Sequence, residues 1–440
     1  MAGLITHQYI LCRALHEYQN NPKGILTGLK ESLKTALKHA KDKDGYKNYY
    51  TDVNCVSAGF AHIGAVGPDL FYLGVGTTSM DYMANLMHYN KTGPYVIFGI
   101  NSIKEIFNDN NNTDKELNIL AYYMGHASHI AADVIVHPLV NSLVGAYPDL
   151  SRRFFHARSK NISIIPLWRT HNIIEHYQDA YVLHYKYPEF NVNVEHWKNI
   201  MIGIAAANEY KKESYKNDGY YFILKNAKGY YKHKKNKGII SESMEIQKYN
   251  FFLDENKVMD SSTYFEQTIP DKVKIEVWKD VLVQESFFNK YIEKAVSLTK
   301  QMWDEILNYI VSGHVLKINE GTDVEKEIKF AAYSKTFPIL RKHWNLDTGF
   351  GPYIGSKIIE SFKPKKNVVS LDSKNAKKEE LKEVADVRIN CINLIYENYN
   401  KEKMHEAPYS EIEEIIKDKK ENYDAARKKE EDDKRRAGRR

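Results

Sequence analysis

The stretch that most constrains this chain runs from Leu117 to Pro138, LNILAYYMGHASHIAADVIVHP, where metal-ligating side chains recur at helical spacing inside an apolar segment. His126, His129, Asp133 and His137 are three, four and four residues apart. On a helix of about 3.6 residues per turn, that places all four on one face. Leu120, Met124, Ile130, Val134 and Ile135 surround them and Asp133 is the sole charge, so the face points inward. A carboxylate buried among imidazoles needs a compensating cation. Nitrogen and oxygen donors without sulfur suit zinc, with iron or manganese behind it, and an oxygen donor in the set favours a catalytic over a structural ion.

The rest of the chain supplies the setting. At 440 residues it has room for two domains and a large core, and 43% hydrophobic with 27% charged residues is ordinary for a soluble globular protein. The net charge of +6 is mild for this length and excludes nothing by itself. Three widely spaced cysteines, Cys12, Cys55 and Cys391, form no ligand pair and no disulfide framework. The start, MAGLITHQYILCRAL, lacks a basic region followed by an apolar core, and no apolar run reaches membrane-spanning length. The expectation is a protein that is cytoplasmic as synthesised, with signal-independent export the remaining route out.

The elements read as helical throughout, so the fold class expected is all-α, a multi-helix bundle with a helical C-terminal extension. Residues 3–40 form one or two helices, with Thr6 as the N-cap and His7 just inside. Asp69 follows a Gly67-Pro68 break in SAGFAHIGAVGPDLFYLG, where small residues allow close backbone approach. It reads equally as a ligand or as a helix N-terminal Asp. His88 lies in MHYNKTGP, ahead of a helix from Tyr95 to Phe107. His171 and Glu175 are four apart and share a helix face; such a pair can hold one metal or be a solvated surface pair, and taken alone the surface pair is the commoner reading. Lys211 to Lys237 interleaves lysines with aromatics, a pattern of lipid or nucleic-acid contacts and, more commonly, of a solvated insertion loop. Phe287 to Leu307 is an amphipathic helix that closes a first domain, residues 1–311, with the Lys/Tyr-rich insertion at about 211–260. Residues 312–440 form a second, helical region: an amphipathic segment from Lys377 to Tyr399, then a tail of mixed charge.

Taken together, His7, Asp69, His88, His129-x-x-x-Asp133, His137 and His171-x-x-x-Glu175 resemble the bacterial zinc-dependent phospholipase C family in kind and order. This is the group that includes clostridial alpha-toxin, and its superfamily also holds fungal single-strand-specific nucleases. GAVGPDLFY and GHASHIAADVIVHP carry the closest local likeness, and the resemblance covers about residues 1 to 310. It implies three zinc ions: one on Asp69, His88, His129 and Asp133; a second sharing Asp133 with His7 and the N-terminal residue; a third on His137, His171 and Glu175. His126 matches no ligand of the family and reads as a supporting or packing histidine. Secreted members begin with Trp after signal cleavage. Here Ala2, once Met1 is removed, would be the N-terminal ligand, at the spacing to His7 found in the fungal nucleases. The stretch between His137 and His171 is long for the family, and the C-terminal region lacks the β-sandwich pattern of alpha-toxin.

The chemistry implied is hydrolysis of a phosphodiester by metal-activated water, with Asp69 or Asp133 orienting that water or taking its proton. A phospholipase C acting on glycerophospholipids at a membrane surface is the leading expectation. A nuclease or other phosphodiesterase on the same metals is the first alternative, and a metal-stabilised interaction protein the second.

Overall fold

The computed structural model describes residues 3–19, 56–70, 84, 87–88, 92–108, 114–144, 165–190, 270–312, 335–342, 344 and 346. Ala2, the Lys/Tyr-rich insertion, the Lys377–Tyr399 segment and the charged tail lie outside them. The fold is all-α, and among the described residues there is no strand. In chain order the helices are α1 (Leu4–Gln19), α2 (Val56–Leu70), α3 (Thr92–Asn108), α4 (Asp114–Val144), α5 (Ile165–Tyr181), α6 (Lys272–Trp278) and α7 (Glu285–Val311). Among the described residues, no helix is long and apolar enough to cross a membrane.

Helix α4 is the axis, packed against α1, α2, α3, α5 and α7. From Ile119 to Asn141 every side chain on it is buried except the half-buried Ile135. A helix apolar on all sides must lie at the centre of a bundle. It continues through Pro138 to Val144, past the end expected from sequence. Helix α7 buries Phe288, Ile292, Ala295, Val296, Met302, Trp303, Ile306 and Ile310 at spacings of three and four, the stripe its sequence announces. The Trp303 indole N–H donates to Met124 O at 2.8 Å and so fixes the register of α7 on α4.

The closest crossing is α2 on α4. A side chain on Gly64 would stand 2.0 Å from Tyr122 O, and one on Gly125 would stand 1.9 Å from Ala61 O. Two glycines therefore let the backbones touch, and this contact brings the end of α2 against the ligand face of α4. Helix α2 also differs from the break expected at Gly67-Pro68: it runs on to Leu70 with Pro68 in its last turn, so Asp69 ends a helix instead of opening one. Gly125→Ala is expected to destabilise the fold by about 1–3 kcal/mol or more through overpacking. Chemical denaturation checks this, and wild-type stability would contradict the crossing.

Candidate metal centre

The candidate ligands arrive from four helices and from His88 outside them. Helix α4 presents His129, Asp133 and His137 on successive turns, α2 presents Asp69 from its last turn, α1 presents His7 from its first, and α5 presents His171 and Glu175. All of these, and His88, are buried. His171 and Glu175 are 2% and 5% exposed, which overturns their reading as a solvated surface pair: the sequence period identifies a shared face but not what covers it.

The side chains converge into two groups, Asp69, His88, His129 and Asp133 in one and His137, His171 and Glu175 in the other. Asp133 is the hub. Its Oδ1 lies 3.2 Å from His7 Nε2 and 3.7 Å from His137 Nε2; its Oδ2 lies 3.3 Å from His129 Nε2 and 3.7 Å from His88 Nε2. Asp69 places Oδ1 3.0 Å from His88 Nε2 and Oδ2 3.5 Å from His7 Nε2. In the second group Glu175 Oε1 stands 3.1 Å from His171 Nε2 and 3.5 Å from His137 Nε2. His7 belongs to neither group but bridges Asp69 and Asp133 on the N-terminal side.

Residues 34–237 match the family described as zinc-dependent phospholipase C. Over that stretch, a little under half of the chain, the sequence is similar to this family. The match contains Asp69, His88, His129, Asp133, His137, His171 and Glu175, and leaves His7 and α7 outside it. No curated protein and no solved structure matched the chain.

The residues of the matched stretch fit the ion in the family's name. Nitrogen and oxygen donors held at about 2.0–2.1 Å by one tetrahedral zinc stand about 3.3 Å from one another, within the range of separations found here. His7 Nδ1 and Nε2, His129 Nε2 and Asp69 Oδ2 are buried without hydrogen-bond partners, a costly arrangement unless another group takes the lone pairs. Two rings are also turned toward the centre by backbone carbonyls. His129 Nδ1 donates to Ala65 O at 2.9 Å and His88 Nδ1 donates to Ala84 O at 2.7 Å. A carbonyl only accepts, so the proton sits on Nδ1 and each Nε2 offers its lone pair inward.

The electrostatics agree. Burial would push Asp133 up, but the imidazoles of His129 and His7 outweigh it and hold the carboxyl well below its usual range. Burial and the neighbouring His7 keep His129 below the ordinary imidazole value despite Asp133. At neutral pH Asp133 is therefore a carboxylate and His129 a neutral imidazole, the forms that bind a divalent cation, whereas Asp133 and Asp69 raise His7 against its burial.

His126 joins neither group. Its ring packs edge-on against Tyr95 at 5.0 Å and lies 6.2 Å from His129, and burial drives its pKa well below the usual value. Sequence reasoning missed Asp179. This buried carboxylate on α5 accepts from Ile5 N at 3.2 Å, Thr6 N at 2.9 Å and Thr6 Oγ1 at 2.6 Å. It corrects the reading of Thr6 as N-cap: Thr6 lies within the first turn of α1, and the capping carboxylate comes from another helix. The signal was in the sequence, since Asp179 extends the four-residue spacing of His171 and Glu175 by one more turn.

Proposed function

We propose that the chain is a zinc-dependent phosphodiester hydrolase of phospholipase C type, cleaving glycerophospholipids into diacylglycerol and a phosphorylated headgroup. The observation that supports this most is the pair of adjacent buried donor groups joined at Asp133 within the family match. Our assignment has three ions: one on Asp69, His88, His129 and Asp133; one on His7, Asp133 and the N-terminal Ala2; one on His137, His171 and Glu175. Bound zinc would neutralise the non-bridging phosphate oxygens and bring the pKa of a water to about 7. The chain's own contribution is placement and proton handling. Asp69 or Asp133, both in the first donor group, would orient the attacking water or take its proton. His137, His171 and Glu175 form the region that meets the departing alkoxide. The surrounding core excludes bulk water and so strengthens each of these interactions.

The test uses full-length protein with zinc and after chelation, offered phosphatidylcholine vesicles, mixed-headgroup vesicles and single-stranded DNA. Zinc-dependent release of phosphorylated headgroup is the expected result. Nucleotide release instead would reassign the substrate to nucleic acid, and inertness toward all three with zinc bound would leave a structural metal site in an interaction protein.

A further inference from the structure

We propose that residues 335–342, 344 and 346, about a hundred residues beyond the family match, act as a strap that holds His88 in its ligating position. This rests on the zinc reading above, because it concerns how one of the ligands assigned there is kept in place.

His88 differs from its fellow candidates. His7, Asp69, His129, Asp133, His137, His171 and Glu175 all lie on α1, α2, α4 or α5, where a helical hydrogen-bond ladder fixes the backbone. His88 is helical as well, outside those helices, and what sets it apart is a tie to a distant segment beside the local contact of its ring. Its ring is turned by Ala84 O at 2.7 Å, and its backbone carbonyl accepts from Leu346 N at 2.9 Å. The second contact ties a candidate ligand to a residue far downstream.

The strap is itself fastened at several independent points. Glu305 on α7 accepts from Ile339 N at 2.8 Å and Leu340 N at 2.9 Å, anchoring the turn at residues 338–341. The ring of Phe337 meets that of Tyr309 at 5.0 Å, and Phe337, Leu340, Trp344 and Leu346 are buried in the same core as α4. Thr92, at the start of α3, forms a two-way clasp: its hydroxyl donates to Trp344 O and accepts from Trp344 N, each at 3.0 Å. Beside it, a side chain on Gly93 would stand 2.1 Å from Leu340 O, so α3 begins with the strap's backbone pressed against it. The clasp lies four residues beyond His88 and the Leu346 bond falls on His88 itself. The strap thus grips the chain at His88 and again four residues beyond it. A metal ligand must be kept within about 0.5 Å of its working position by such supports. The metal-holding unit accordingly extends to residue 346 at least.

Two full-length variants test this. Leu346→Pro removes the N–H that reaches His88, and Thr92→Val removes the clasp while keeping the side chain's shape. Histidine-selective ¹⁵N NMR during zinc titration reads the His88 and His129 rings separately from His137 and His171, and the melting temperature of the metal-free protein reports general damage. The expected result is zinc affinity at the His88 group weakened by about 10–100-fold, the range for supports one bond removed from a ligand, with the His137 group filled as in the wild type. Should Leu346→Pro not fold, Thr92→Val decides. Unchanged affinity at both groups, or equal weakening at both, overturns the strap. Zinc binding by neither group of the wild-type protein would instead overturn the zinc reading, and the strap with it.

Discussion

Replacing Asp133 with Asn is expected to abolish zinc binding at the Asp69, His88 and His129 group and to cut phosphodiester hydrolysis by about 10²–10³-fold or more, the scale of losing one charge-stabilising group from a site that excludes water. Four imidazole nitrogens lie within 3.2–3.7 Å of its carboxylate, so no other side chain of the cluster touches as many partners. Asn fills the same volume but is neutral. Its amide N–H₂ would face nitrogens that offer lone pairs, and it cannot bridge two cations. The metal-free variant should fold, because a buried carboxylate held well below its usual pKa range is exchanged for an uncharged isostere and the imidazoles around it can remain neutral. The contrast is therefore in the response to zinc. Wild-type protein at zinc a thousandfold above its dissociation constant should gain about 4 kcal/mol of stability, and Asp133→Asn should gain only what the His137, His171 and Glu175 group provides. Elemental analysis counts the ions and thermal melts with and without zinc measure the gain. A variant with its full zinc complement and unchanged turnover would remove Asp133 from the centre of the site.

The same cluster illustrates what a sequence can and cannot carry. His129, Asp133 and His137 were legible because four-residue spacing inside an apolar run has one structural meaning, an inward helix face. His171 and Glu175 have the same spacing but lie in a segment of mixed polarity, where period alone does not distinguish a buried face from a wet one; only the packing of α5 on α4 and α1 decides it. Pro68 read as a break because proline removes an amide donor. In α2 that loss removes one rung of the ladder, the bond that the Gly64 carbonyl would accept, and the helix still runs on to Leu70. Thr6 read as a cap because local windows see only local donors. Its real partner is 173 residues away, on a helix that the sequence places nowhere in particular. The all-α class was legible for the described elements, whereas the contacts that place His7 on α5 and tie the His88 backbone to Leu346 are long-range and left no local signature.

Asp179→Ala is expected to lower stability by about 2–4 kcal/mol and to empty the site that uses His7. The carboxylate takes the N–H groups of Ile5 and Thr6 and the Thr6 hydroxyl, and a side chain on Gly3 would stand 2.2 Å from it, so the start of the chain is clamped against α5. Truncation leaves buried donors at a helix N-terminus unsatisfied, each costing about 1–3 kcal/mol unless water enters. Freed from its clamp, α1 no longer holds His7 Nε2 at 3.2 Å from Asp133. Zinc content should fall by the ion assigned to His7, Asp133 and Ala2, while the His137 group stays filled. The conservative variant adds a pH test. Burial raises the Asp179 pKa to about 7 against the pull of the Thr6 and Ile5 donors, from an ordinary value of 3.8. An acid whose pKa is higher folded than unfolded takes up a proton on folding between those two values. Its contribution to stability is therefore largest at low pH, declines as pH rises from about 4 to 7, and is level above. Asp179→Asn cannot titrate, so its stability profile should lack that decline. Denaturation of both proteins across pH 4 to 8 measures the difference, and parallel profiles would mean that Asp179 is ionised throughout the range, held so by the three donors it accepts.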